Sequence, residues 1–173
     1  MINLLPLAAG ETISTVLPLP EDEAEWGGLH IMFATAHGTV RRNSMAAFTN
    51  IPTAGKIAMR FGTVEGADNG DDSDEQTDLT DRLIGVELLT EGDDVLLATR
   101  HGKAIRFMAT DVREFQWRTS TGVRRMRLHP GDEGDDSEEG GDPTDRLIGV
   151  ELLTEEDDVL LATRNGKAIR FKS

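Results

Sequence analysis

Short apolar runs separated by polar turns recur along the chain, and their spacing predicts β-strands. Leu83-Ile84-Gly85-Val86-Glu87-Leu88-Leu89 reads as one strand, closed by the polar turn Glu91-Gly92-Asp93-Asp94. Val95-Leu96-Leu97-Ala98-Thr99 is a continuous apolar run, as expected of a strand buried on both faces. His101-Gly102 follows, and Lys103-Ala104-Ile105-Arg106-Phe107 returns as its hairpin partner. A tight hairpin turn needs backbone with φ above zero, which favours glycine preceded by a residue tolerant of the left-handed region. A fourth strand is expected over Gly122-Val123-Arg124-Arg125-Met126-Arg127-Leu128. Period-2 alternation there puts Arg124, Met126 and Leu128 inward and Arg125 and Arg127 outward.

This unit is repeated. Thr80 to Phe107 returns as Thr144 to Phe171, 64 residues on, with only Gly92 replaced by Glu156 and His101 by Asn165. The second change supports the turn, because Asn-Gly is the strongest short hairpin signal. A diverged copy stands in front. Ile31-Met32-Phe33-Ala34-Thr35-Ala36-His37-Gly38-Thr39-Val40-Arg41-Arg42 is its hairpin, with Ile13-Ser14-Thr15-Val16-Leu17 as the strand before it. Gly55-Lys56-Ile57-Ala58-Met59-Arg60-Phe61 is its fourth strand, with Ile57, Met59 and Phe61 inward. Phe48 and Phe115, alone in irregular connectors, are expected to plug the core.

The predicted fold is all-β: a pinwheel or propeller-like array of four-stranded blades forming an incomplete ring, since closed propellers typically need about 4–8 blades. Residues 1–62 make the first blade, with a possible leftover strand of a preceding blade at 2–7, where Ile2-Asn3-Leu4 has the apolar-polar-apolar pattern. Residues 63–80 and 130–144 are acidic linkers, 81–129 the second blade and 145–173 a partial third. An open arc, or two chains closing one ring, follows from that count.

Charge is divided just as sharply. The net charge of −14 argues against a nucleic-acid partner. Yet segments 64–81 and 131–145 hold eight acidic residues each, half of all Asp and Glu, while 100–127 carries eight Lys or Arg against only Asp111 and Glu114. The units are therefore far more basic than the linkers. The linkers read as solvating segments rich in Gly, Asp and Ser. A sharper role for them is competition with DNA for the basic units. Asp71-Asp72-Ser73-Asp74 lacks the glycine and terminal Glu of an EF-hand loop.

The absence of cysteine excludes disulfides and thiolate metal sites. No run approaches the roughly 18 apolar residues that span a bilayer. Met1-Ile2-Asn3-Leu4-Leu5 lacks the basic start of a signal peptide. A soluble, cytoplasmic protein with no membrane partner is expected. His37 and His101 read as turn residues and not ligands, because Asn165 takes the same place in the third unit. The Gly-Lys pairs at 55–56, 102–103 and 166–167 lack the spacing of a phosphate loop. No carboxylate pair stands out as a catalytic dyad, and no metal or other cofactor is expected.

Val95 to Phe107, Asp111-Val112-Arg113 and Ser120-Thr121-Gly122-Val123-Arg124 resemble the C-terminal domain of the bacterial DNA gyrase A protein. Ile31 to Phe48, with Arg41-Arg42-Asn43-Ser44, and Asn50 to Met59 are similar to successive blades of that domain. The resemblance implies a β-pinwheel, six-bladed in the family, whose basic outer rim binds and wraps duplex DNA. This chain looks like about half of it. Two features of the family are missing. The glycine-rich box on which wrapping depends is absent. The family's DNA-cleaving nucleophile is a tyrosine on another part of the gyrase A protein, and this chain has no tyrosine. The resemblance thus implies a non-catalytic module acting in DNA topology, nucleoid-associated in the cytoplasm, with double-stranded DNA as partner and gyrase subunits or a second copy as further ones. A module that pairs with a gyrase pinwheel without touching DNA, or a truncated product without function, are the alternatives. The expected DNA contacts are Arg41, Arg42, Lys56, Arg60, Arg100, Lys103, Arg106, Arg113, Arg118, Arg125 and Arg127, with Arg164, Lys167 and Arg170 in the third unit.

Overall fold

A computed structural model describes residues 7, 9–52, 54–61, 81–128 and 144–172. The acidic segments, except for their end residues such as Asp81, Thr144 and Asp145, and the expected strand at 2–7, except Leu7, lie outside these residues. The regular structure of the described residues is predominantly antiparallel β: β1 His30–Thr35, β2 Thr39–Ser44, β3 Leu83–Leu89, β4 Asp94–Thr99, β5 Ala104–Met108, β6 Val123–Arg124, β7 Leu147–Leu153, β8 Asp158–Ala162 and β9 Ala168–Lys172. Single 3-10 turns cover Glu23–Gly28, Met45–Phe48 and Ala109–Asp111. None of the described helices is long and apolar enough to cross a membrane.

The three expected hairpins are present as β1–β2, β4–β5 and β8–β9. Their turns place Gly38, Gly102 and Gly166 at φ +84°, +89° and +82°, in the left-handed region that makes glycine the residue of choice. Each hairpin is 64 residues from the next, so His30, Asp94 and Asp158 hold equivalent places.

The sheets do not follow the contiguous units expected from sequence. They have the strand orders β3-β1-β2-β6, β5-β4-β7 and β8-β9. The Leu-Ile-Gly-Val-Glu-Leu-Leu strand pairs with the hairpin of the preceding unit and not with the one that follows it: β3 with β1, and β7 with β4, in the same register. β6 likewise reaches back to β2. The second unit therefore donates β3 and β6, and the third donates β7, to the hairpin before it. The reason lies in burial, since reaching back lets one strand cover a neighbouring hairpin while its own hairpin stacks on the next face.

This arrangement explains two departures. Ile13 to Leu17 and Gly55 to Phe61 were expected as strands, but both run without ladder bonds, because the described residues include no earlier hairpin to receive them. Ile13, Val16, Ile57 and Phe61 are exposed; Met59 is buried as expected. In the counterpart segment, Met126 and Leu128 are buried as expected, but Arg124 and Arg125 exchange places. Pairing stops after Arg124, and the backbone N–H groups of both Arg125 and Met126 donate to the Gly38 carbonyl. That doubled contact breaks the alternation. Arg124 turns to the surface and the Arg125 guanidinium lies 4.8 Å from the Phe107 ring centroid.

The main core fills the seam between the first two sheets with Met32, Val40, Leu89, Val95, Leu97, Met126, Leu128, Leu147 and Val150. Burial of side chains this size stabilises by roughly 1.5–3 kcal/mol each. A second cluster gathers Trp26, Ile31, Phe33, Met45, Phe48, Met59 and Val86 on the other face of the first sheet. Phe48 and Phe115 are both buried, as expected.

One acid works against the packing of β3 on β7. Burial, and after it the charge of Glu151, push the Glu87 carboxyl above its usual range. A raised carboxylate adds stability at low pH that is lost as pH rises through the folded value. Glu87→Gln should therefore stabilise the protein at pH 7 by about 0.5 kcal/mol, a figure held down by solvent screening. The advantage should disappear below about pH 4. Paired urea titrations at the two pH values measure it.

Candidate nucleic-acid interface

The fourteen basic residues expected at the interface fall into three groups. Arg41 and Arg42 do not belong to the surface at all. Arg41 is fully buried. Its guanidinium donates to the carbonyls of Arg118, Ser120 (2.6 Å) and Ala58 and to Asn43 Oδ1 (2.7 Å). It also lies 4.8 Å from the Phe33 ring centroid. Desolvation, and then the neighbouring Arg118 charge, lower its pKa to about 10. Arg42 is buried as well, with Nε donating to the Val112 carbonyl at 2.9 Å. A basic pair read from sequence as a phosphate contact is thus a staple. It ties β2 to the connector 112–120 and to the segment around Ala58. Asn43 continues the tie by donating to the Phe115 carbonyl.

A second group reaches the surface while held by partners. Arg106 pairs with Asp94 across β4–β5, with Nε 2.7 Å from Oδ2. The equivalent Arg170 stands 3.6 Å from Asp158. Arg113 stacks on Phe115 at 4.4 Å, and Arg118 donates to the Ile57 carbonyl at 3.2 Å. Arg125, besides stacking on Phe107, lies 4.0 Å from Asp111. Such pairing offsets charge that a phosphate would otherwise meet.

The third group is exposed: Lys56, Arg60, Arg100, Lys103, Arg127, Arg164 and Lys167. Four of these come together. Arg100, Lys103, Arg164 and Lys167 line a cleft of about 720 Å³ between the β4–β5 and β8–β9 turns. Arg146 joins them, and no carboxylate is among the lining residues. The periodicity explains the cluster, because Arg-x-x-Lys spans each turn 64 residues apart. The first hairpin has Ala36 and Thr39 at those places, so the basic turns belong to the near-identical copies alone. Arg146 was missed from sequence because it sits at the end of an acidic segment. The repeated Asp-Arg-Leu-Ile pattern was the available signal.

Acid at these turns is used structurally. Asp81 Oδ1 accepts from the backbone N–H groups of His37 (3.0 Å) and Arg82 (2.9 Å). Asp145 Oδ1 accepts from those of His101 (3.1 Å) and Arg146 (2.9 Å). Each donated strand thus brings a carboxylate that fastens the turn it covers. His37 and His101 stand at the turns, and His37 Nδ1 also lies 4.0 Å from Asp81 Oδ1. His30 Nε2 lies 3.1 Å from Glu114 Oε2, linking β1 to the connector. Among the described residues, no group of three or more His, Cys, Asp or Glu could hold a metal ion.

The comparisons with known proteins agree with this architecture. The family described as "DNA gyrase C-terminal domain, beta-propeller" matches residues 29–70, 93–133 and 157–173. The DNA gyrase A protein of Granulibacter bethesdensis is 46% identical over 135 residues, 77% of this chain and 13% of that protein. The Rickettsia bellii gyrase A protein is 43% identical over 128 residues, 74% of this chain and 12% of that protein. The chain thus spans about an eighth of the length of these relatives. A crystal structure of the C-terminal domain of DNA topoisomerase IV superposes with a TM-score of 0.69 at 18% identity, covering 98% of this chain and 43% of that one. That likeness establishes the fold. With paired hairpins, back-donated strands and sequence identity over most of its length, the chain belongs to the DNA gyrase A C-terminal domain family, as a partial β-pinwheel.

Proposed function

We propose that this chain is a non-catalytic module that binds duplex DNA in the wrapping manner and contributes to control of DNA topology, acting with gyrase subunits at the nucleoid in the cytoplasm. The observation that carries the reading is the carboxylate-free cleft, where two repeated turns present Arg100, Lys103, Arg164 and Lys167 together with Arg146. Phosphate binding by such residues needs no base recognition, releases counterions and weakens steeply with salt. Lys56, Arg60 and Arg127 are further exposed cations outside the cleft. Arg106, Arg113, Arg118, Arg125 and Arg170 are secondary contacts, since each already has an acidic, aromatic or carbonyl partner.

Charge reversal of Arg100, Lys103, Arg164 and Lys167 to Glu tests this reading by fluorescence anisotropy with a linear duplex. Affinity at 0.1 M salt should fall by two orders of magnitude or more, and the log–log salt slope should flatten by about 0.9 for each phosphate no longer neutralised. Unchanged affinity and slope would remove the cleft as the interface.

A further inference from the structure

The two tryptophans of the chain have opposite surroundings. Trp26 is buried in the second core cluster, and its Nε1 donates to the Pro20 carbonyl at 3.1 Å. Trp117 is 75% exposed. An indole left in water gives up the stabilisation that burial of so large a ring supplies. Its exposure is not an effect of where the chain begins or ends. The connector 112–120 lies mid-chain, and both the hairpin it covers, β1–β2, and the hairpin it leaves, β4–β5, are in place.

The connector has little regular structure, yet its backbone is held along its length. The Val112 carbonyl accepts from Arg42 Nε at 2.9 Å, the Phe115 carbonyl from the Asn43 amide, and the Arg118 and Ser120 carbonyls from the Arg41 guanidinium. The Phe115 N–H donates to the Arg42 carbonyl at 2.8 Å, and the Ser120 N–H donates to the Trp117 carbonyl at 3.1 Å, closing the turn that carries the indole. Gly122 then seats the chain against the first hairpin, where a Cβ would meet the Val40 carbonyl. With anchors on both sides in sequence, Trp117 cannot withdraw from the surface without breaking buried hydrogen bonds.

A pocket of about 620 Å³ adjoins the ring, lined by Arg113, Phe115, Gln116, Trp117, Ser120 and Thr121. Glu114 also borders it, with Oε2 3.1 Å from His30 Nε2. Arg113 lies on the Phe115 ring at 4.4 Å. Stacking occupies the flat face of a guanidinium and leaves the N–H groups in its plane for an acceptor. Arg118, next to Trp117, donates to the Ile57 carbonyl at 3.2 Å. From 112 to 127 the chain carries Arg113, Arg118, Arg124, Arg125 and Arg127 against the single acid Glu114. That excess favours an anionic occupant over an apolar protein surface.

We propose that this pocket binds an unpaired nucleobase that carries phosphate, with Trp117 stacking on the base and Arg113 and Arg118 meeting the phosphate. A ring face beside cations is the combination that holds unpaired nucleotides, whereas the faces of paired bases are hidden in the duplex stack. The Gln116 amide and the Ser120 and Thr121 hydroxyls can each donate and accept, so they suit the polar edge of any base. The site goes beyond the basic cleft, with which it shares no lining residue.

The test uses the 173-residue protein with Trp26→Phe, so that Trp117 is the sole indole. If its circular dichroism departs from that of the wild type, the difference between the wild-type protein and Trp117→Phe reads the same signal. Emission is followed during titration with an oligodeoxythymidylate of ~20 nucleotides, with the same strand paired to its complement, and with thymidine monophosphate. The single strand should quench Trp117, and the duplex should quench far less. Affinity for a labelled single strand is then measured with Arg100, Lys103, Arg164 and Lys167 changed to Glu, which takes the basic cleft out of the reading. In that background Trp117→Ala should weaken binding about five- to 150-fold, and Trp117→Phe much less. Mononucleotide binding as tight as the strand's assigns the pocket to free nucleotides, and far weaker binding assigns it to a strand; both support a base-binding site. Emission unmoved by strand and nucleotide alike, equal quenching by the duplex, or unaltered affinity in Trp117→Ala would each overturn the proposal. The first of these would leave the indole to a protein partner. Duplex affinity is read separately, so failure of this pocket and failure of the basic cleft are distinguishable.

Discussion

Arg41→Met should destabilise the protein by about 3–5 kcal/mol while leaving the exposed basic surface untouched. The residue is fully buried, and its guanidinium satisfies three backbone carbonyls and the Asn43 side-chain oxygen. Methionine fills comparable space and donates nothing. Four acceptors then lose their donor inside the fold, and each unsatisfied buried group costs roughly 1–3 kcal/mol. Some recover water at the edge of the site, which keeps the total below the sum. Against a stability of about 5–15 kcal/mol for a domain this size, most of the margin would be gone. Urea unfolding followed by tryptophan fluorescence reads the change through Trp26 and Trp117. If Arg41 were a phosphate contact, the same substitution would lower DNA affinity with the unfolding midpoint unchanged. Arg127→Met, at an exposed position, serves as the control and should stay within about 0.5 kcal/mol of wild type.

Gly38→Ala should cost about 2–4 kcal/mol, and Gly102→Ala, at nearly the same backbone angle, only about 1 kcal/mol. The left-handed conformation disfavours any Cβ by roughly 1–2 kcal/mol, and both sites carry that cost. The difference comes from what lies beyond the turn. A Cβ at Gly38 would run into the Met126 carbonyl, whereas nothing stands within 4 Å of one at Gly102. The Gly38 carbonyl also accepts from the Arg125 and Met126 N–H groups, so displacing the segment loosens Met126 and Leu128 from the core. Equal unfolding costs for the two variants would show that the β6 segment does not seat against the first hairpin.

The hairpins, their glycine turns and the all-β repeat were legible because they rest on local chemistry: apolar runs of strand length and a backbone requirement at three turns. The partner of each strand was not. Leu83 to Leu89 is followed at once by a hairpin with which it could pair, and nothing in its residues says that it reaches back to β1. The two near-identical copies make the point most directly, since Leu96 and Leu160 share their neighbours in sequence and differ widely in exposure. Burial there is set by what the rest of the array supplies. Charge was misread for a related reason. Arg41 and Arg100 look alike as basic residues near a hairpin turn, but Arg41 faces a connector whose carbonyls point inward. Only the placement of the connector 112–120 separates a staple from a surface cation.

The central claim is that the basic cleft engages duplex DNA through its phosphates. It is tested most directly by the affinity of the wild-type protein for a linear duplex of ~150 bp across salt concentrations. The account predicts measurable binding at low salt, insensitive to base sequence, whose logarithm falls linearly with log salt at a slope of about −3.6 to −4.5, as four to five phosphate contacts require. Absence of binding at low salt, or an affinity indifferent to salt, would contradict it.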